Sequence, residues 1–156
     1  MLAFQKVSEI PKHIEAKAID EALETFVSEE RMTRGVDLRG YLQGLRDSVA
    51  SILIFKNSPE SFFWIAESDG KVVAWAMTQV KKGVDNQLCY WMLDAWVEKS
   101  FRGSGFPKEW LVQLRADAKR YGCRHILIPS TRNAKAYCRF LGGGFHEYIT
   151  ILKEDI

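Results

Sequence analysis

Residues 100–110 read SFRGSGFPKEW. Just upstream lies the apolar run QLCYWMLDAWV (87–97); downstream, Trp110, Leu111, Leu114, Ala118 and Tyr121 recur at helical spacing until Gly122. This pattern predicts a strand over 87–97, apolar on both faces as a central strand is, then a helix over 107–122 that a glycine ends. The bend between them holds Gly103 and Gly105, and Pro107 suits a first helical turn. A helix start leaves backbone N–H groups without internal partners and carries partial positive charge. Glycines let an anion approach that main chain without a Cβ in the way. Arg102 adds a charged fork beside it. Taken alone, the stretch reads either as an anion-binding bend between strand and helix or as a plain turn.

Working outward, Asp69-Gly70 is a two-residue hairpin turn, because type I′ geometry needs positive φ at both positions. Strands over 62–68 and 71–80 flank it. Nearer the N-terminus, FQKVS (4–8) reads as a short strand. PKHIEAKAIDEALETFVSEE reads as a helix with Pro11 in its first turn. DLRGYLQGLRDSVASI reads as a second helix, weakened by Gly40 and Gly44. Beyond Gly122, a buried strand over 124–129 leads to a helix over 130–141, capped by Ser130 or Thr131. Gly142, Gly143 and Gly144 stop that helix before a final strand over 145–152. The order is β-α-α-β-β-β-α-β-α-β. It predicts one α/β (α+β) domain over 1–156, a mixed, mostly antiparallel sheet flanked by helices.

A chain of 156 residues suits one such domain with a sizeable core. It has no apolar run of bilayer length and no uninterrupted apolar leader at its start, so a cytoplasmic protein that does not engage membranes is expected. Cys89, Cys123 and Cys138 form no CxxC pair and read as reduced thiols. His13, His125 and His146 are scattered, so no metal site is expected. Net charge is +2, but residues 98–139 hold ten Lys/Arg against three acids, which leaves −5 for the rest. Such a segment reads either as solvated helix faces or as a local positive field for a polyanionic ligand. Nucleic acid would match its sign, but the sequence lacks the aromatic stacking pattern or recognition-helix context such binding uses.

The bend resembles a signature of the GCN5-related N-acetyltransferase (GNAT) superfamily, R/Q-x-x-G-x-G/A after the fourth strand, here Arg102, Gly103, Ser104 and Gly105. A second family pattern, N-x-x-A…Y-x-x-x-G-F, is matched by Asn133, Ala136, Phe140, Gly144 and Phe145. The resemblance spans roughly 62–152, with the cofactor-binding part about 87–152, and sets the first two helices where the family's substrate-facing helices lie. It implies acetyl-CoA as acyl donor and no metal. Arg102, Gly103, Ser104, Gly105, Phe106 and Lys108 would hold the pyrophosphate, and Asn133 and Phe140 would flank the cofactor. Main-chain N–H groups at Trp96 and Val97 would polarise the thioester carbonyl where the fourth strand splays. The acetyl group would pass to a primary amine of a small molecule or a protein, by direct attack in a ternary complex.

Two positions depart from the family. Pro107 stands where a small residue is usual and deletes an N–H donor. Phe140 replaces a tyrosine whose hydroxyl protonates the leaving thiolate; Tyr137, one turn earlier, is the candidate stand-in. Asp94, the one acid inside strand 88–97, is the candidate general base, with Glu67 and Glu98 as the other carboxylates considered. In a regular strand Trp96 would share a face with Tyr90, Met92 and Asp94. The departures also fit an alternative, a GNAT-like protein with altered catalysis that serves as a binding or assembly module. Apolar strands at 62–66 and 145–152 offer surfaces for a homodimer.

Overall fold

The computed structural model describes residues 4–29, 37–55, 60–102 and 105–129. The helix and strand expected over 130–141 and 145–152 lie outside the described residues. So do the candidate site residues Gly103, Ser104, Asn133, Tyr137 and Phe140.

The described elements follow the expected order. They are β1 (Gln5–Val7), α1 (Ala16–Glu29), α2 (Leu38–Ala50), β2 (Ser61–Ser68), β3 (Lys71–Lys82), β4 (Leu88–Val97), α3 (Phe106–Arg120) and β5 (His125–Leu127). A π-helical turn, Ser51–Phe55, extends α2, and a 3-10 turn, Lys99–Phe101, follows β4. The hairpin forms as read, with Asp69 at φ 51° and Gly70 at φ 76°. Gly122 ends α3 at φ 68°. Pro11, however, does not open α1. It closes a separate turn in which its carbonyl accepts the Ile14 N–H at 2.9 Å, and Ile14 enters the core from that turn.

The sheet runs β1-β2-β3-β4-β5, antiparallel except for the parallel pair β4–β5, which α3 connects. Helices cover both faces. Leu23, Phe26, Leu45 and Val49 from α1 and α2 pack on Phe63, Ile65, Trp75 and Met77. On the other face, Trp110, Leu111 and Leu114 of α3 pack on Trp64, Ala74, Tyr90 and Met92. β2 is bonded along both edges, to β1 and to β3. On the β1 side this pairing covers Phe63, Trp64 and Ile65.

A polar chain is buried on the α3 side. The Lys6 ammonium donates to Asp117 at 2.9 and 3.0 Å, and the Tyr90 hydroxyl donates to the same carboxylate at 2.7 Å. Thr78 Oγ1 donates to Tyr90 Oη at 3.1 Å and accepts the Trp64 indole N–H at 2.9 Å. Every link is satisfied, as burial of polar groups requires. The chain ties β1, β2, β3, β4 and α3 into one unit. Burial pushes the Tyr90 phenol well above its usual range.

Across the sheet, Arg46 of α2 grips α1. Its Nε and Nη2 donate to the two oxygens of Asp20 at 2.6 and 2.8 Å, and Nη2 also reaches Glu24 at 2.8 Å. The hydrogen bond from Arg46 holds the Asp20 carboxyl below its usual value, against a smaller upward push from burial. A depressed carboxylate adds stability that is present above its unfolded pKa and is lost as pH falls through its folded pKa. Asp20→Asn should thus lower stability at pH 7 by about 0.5 kcal/mol, the usual scale for a half-exposed pair. In urea titrations the gap between the two proteins should begin to narrow as pH drops below the usual Asp value and vanish only below the depressed folded one.

Candidate functional site

The site is set by one irregularity in β4. Met77 pairs with Asp94, but the next residue of β3, Thr78, pairs with Met92, so Leu93 is an extra residue on β4. A bulge of this kind shifts every following side chain to the other face. Tyr90 and Met92 lie in the core under α3, whereas Leu93 and Trp96 pack with α1 and α2. This corrects the expectation that Trp96 shares a face with Tyr90 and Met92, which held only for a regular strand.

The same stretch loses its neighbour. Pairing of β4 with β5 covers Cys89, Tyr90 and Trp91 against His125, Ile126 and Leu127. Past Trp91, residues 92–97 have no β5 partner among the described residues. The Glu98 N–H donates to Val73 O on β3 at 2.8 Å. Backbone groups alternate along a strand, so the Val97 N–H and carbonyl face the open side, as do those of Ala95. Trp96, by the same alternation, turns its N–H toward β3. The open-edge donors are thus Ala95 and Val97, not the adjacent pair Trp96 and Val97.

Asp94, swung by the bulge, accepts the Tyr41 hydroxyl of α2 at 2.9 Å. Both line a cleft of about 520 Å³ between α2 and the sheet, with Asp37, Gly40, Gly44, Met77 and Leu93 also on its wall. The glycines that weaken α2 on paper are one turn apart on the helix and leave that wall bare. Glu67 lies elsewhere, against His13 at 3.0 Å, and Glu98 accepts the Ser100 hydroxyl at 3.0 Å. Of the three carboxylates considered from sequence, Asp94 alone reaches the cleft. Tyr41 was read only as part of an apolar helix stripe; its place between two glycines was the available signal.

At the bend, Gly105 caps α3 with φ 82°, a left-handed conformation that glycine adopts without strain. Pro107 supplies no N–H, and the amides of Lys108 and Glu109 both donate to the Gly105 carbonyl, at 2.9 and 3.3 Å. Two of the helix's first N–H groups are thus already turned back onto the bend. Arg102 Nε donates to the Val97 carbonyl at 2.7 Å, and Nη2 donates to Glu29 Oε2. The Trp96 indole N–H donates to that same Oε2 at 3.1 Å. Burial raises the Glu29 carboxyl, but these hydrogen bonds, with the charges of Arg102 and Lys99, hold it below its usual value. Glu29 carried no sequence signal as a site residue. Among the described residues, no three His, Cys, Asp or Glu side chains converge on a common point as a metal would require.

The fold that frames this strand edge is shared with known proteins. Residues 17–142 match the model of the Acetyltransferase (GNAT) family, and the chain belongs to that family. No curated protein matches the sequence. Solved structures share its fold. One is a Pyrococcus furiosus protein assigned as an acetyl transferase, with TM-score 0.73, 17% identity and full coverage of both chains. A predicted acetyltransferase of Clostridium acetobutylicum, solved with acetyl-CoA, matches at TM-score 0.67 and 16% identity over 99% of this chain and 96% of that one. An aminoglycoside 6'-N-acetyltransferase of Acinetobacter haemolyticus matches at 0.64 and 15%, over 99% of each chain. The family and these neighbours support acetyl transfer in general.

The two α2 glycines separate cleft shape from helix strength. A Cβ at position 44 would meet nothing within 4 Å, whereas one at position 40 would come within 2.7 Å of Asp37 Oδ2. Gly44→Ala should stabilise the protein by about 0.5–1 kcal/mol through helix propensity. Gly40→Ala should gain less, or lose, because it disturbs the Asp37 cap. Urea unfolding of both variants checks the difference.

Proposed function

We propose that the protein transfers an acetyl group from acetyl-CoA to a primary amine by direct attack, with Asp94 as the general base. The observation that carries this reading is the Leu93 bulge. It turns Asp94 into the α2 cleft at the point where β4 loses β5 and its main-chain groups become available to a ligand. The residues suit the donor. An extended pantetheine arm adds to the free edge at Ala95 and Val97 as an extra strand would. The bend at Gly105, with Phe106 N–H, Lys108 and Arg102, suits a diphosphate. Asn133 and Phe140 complete that side in this reading.

Acetyl-CoA supplies an activated thioester, and the chain supplies geometry and proton handling. Open-edge N–H groups beside the bulge polarise the carbonyl as negative charge develops on its oxygen. Asp94, with Tyr41 donating to its other side, accepts a proton from the acceptor ammonium, directly or through water. The amine nitrogen then forms the bond to the acetyl carbon as the carbon–sulfur bond breaks. Tyr137 or water returns a proton to the departing thiolate. Asp37 at the head of α2 and Asp94 on β4 both line the cleft and favour an acceptor that carries positive charge, whether a small amine or a lysine side chain. The second reading, a GNAT-fold binding module, draws on Pro107 and on the engagement of Lys108 and Glu109 amides with Gly105, both of which thin the phosphate donors.

Calorimetry with acetyl-CoA separates the two: the enzyme reading expects binding that weakens in Arg102→Glu. For the chemistry, free thiol released from acetyl-CoA is followed with mono- and diamines of increasing length. Asp94→Asn should lower kcat by about 10²- to 10⁴-fold, the usual worth of a positioned base, and leave acetyl-CoA affinity intact. An unchanged kcat would remove Asp94 from the reaction.

A further inference from the structure

Arg102 stands at the root of the glycine bend, yet its side chain runs backward along β4. Its Nε is bonded to the Val97 carbonyl and its Nη2 to Glu29, the last residue of α1. Glu29 is the better buried of the pair, its side chain 19% exposed against 43% for Arg102. Its one oxygen Oε2 also takes the Trp96 indole N–H, so carboxylate and indole are fixed together. The carboxylate stays ionised, with Lys99 adding to the positive field around it. Arg102 is thus held by a stationary anion, on the strand edge that a ligand would use.

We propose that Glu29 is a positioning residue that sets coenzyme affinity, by holding Arg102 on the Val97 edge and away from the bend. This rests on the acetyl-CoA reading of the site. A diphosphate at the bend and the Glu29 carboxylate compete for one guanidinium, since each offers it the same anionic oxygens. Release of Arg102 frees the cation for phosphate. It also removes Nε from the Val97 carbonyl, where an amide of an added extended segment would otherwise share the acceptor. The apparent affinity is therefore the intrinsic affinity reduced by the fraction of molecules in which Arg102 is released. Loss of the Glu29 charge raises that fraction. Glutamine at 29 keeps an oxygen for the Trp96 indole, so packing of α1 on β4 is retained.

The experiment is calorimetry with coenzyme A on four proteins: the parent, Glu29→Gln, Arg102→Ala and the double variant. Urea unfolding is run beside it to verify that each is folded. Glu29→Gln should bind about threefold to fivefold more tightly, the upper end of what an exposed ion pair contributes. Arg102→Ala should bind more weakly than the parent, and Glu29→Gln should bring no gain in its background. A gain that persists in the double variant would mean that Glu29 acts by plain charge repulsion, which overturns the proposal. Unchanged or weaker binding in Glu29→Gln would overturn it as well, leaving Glu29 as a structural tie. If the parent itself fails to bind coenzyme A, the acetyl-CoA reading falls and takes this proposal with it. Should Glu29→Gln not fold, Glu29→Asp serves instead: it keeps the charge but shortens the reach, and the same gain is expected.

Discussion

One surplus residue in β4 governs the architecture of the site. Side chains on a strand alternate with a period of two, so the insertion of Leu93 exchanges the faces of everything after it. Upstream, Tyr90 and Met92 serve the core beneath α3; downstream, Trp96 serves the core beneath α1 and α2. Asp94 sits at the changeover and reaches α2 rather than α3. A regular strand would send a carboxylate at 94 to the same face as Tyr90, into the α3 core. There it would meet Trp110 and Leu114 instead of a cleft.

The bulge works only because the surrounding layers are fixed. Arg46 holds α2 to α1 through Asp20 and Glu24, so the cleft wall keeps its distance from the sheet. On the far side, the chain from Lys6 through Asp117, Tyr90 and Thr78 to Trp64 seats α3 against four strands. The bend at Gly105 starts that helix and inherits its position. Charged and polar contacts here set orientation more than stability, since half-exposed pairs contribute little on their own.

Much of this fold was legible from local patterns. The Asp69-Gly70 turn, the apolar run of β4, the Gly105 and Gly122 helix limits and the succession of elements each announce themselves within a few residues. The signals that failed were those whose meaning is set from a distance. Leu93 carries no glycine or proline to mark a bulge; only its pairing with β3 reveals one. Pro11 fits a helix start by propensity, but the buried Ile14 claims it for a turn. Glu29 and Arg102 are 73 residues apart, and nothing in either neighbourhood names the other. Tyr41 looked like core because hydrophobic spacing cannot tell a wall of the core from a wall of a cleft.

β3 is hydrogen-bonded along both edges and covered on both faces, from Val72 through Thr78. β4 leans on it with one edge and, among the described residues, has no strand on its other edge beyond Trp91. Amide protons on the two sides of that single strand therefore belong to different worlds. Those aimed at β3 exchange with solvent only when the whole sheet opens, while β3 gives no such protection to those at Ala95 and Val97. One strand thus joins a stiff backing to a margin that, among the described residues, no further strand covers.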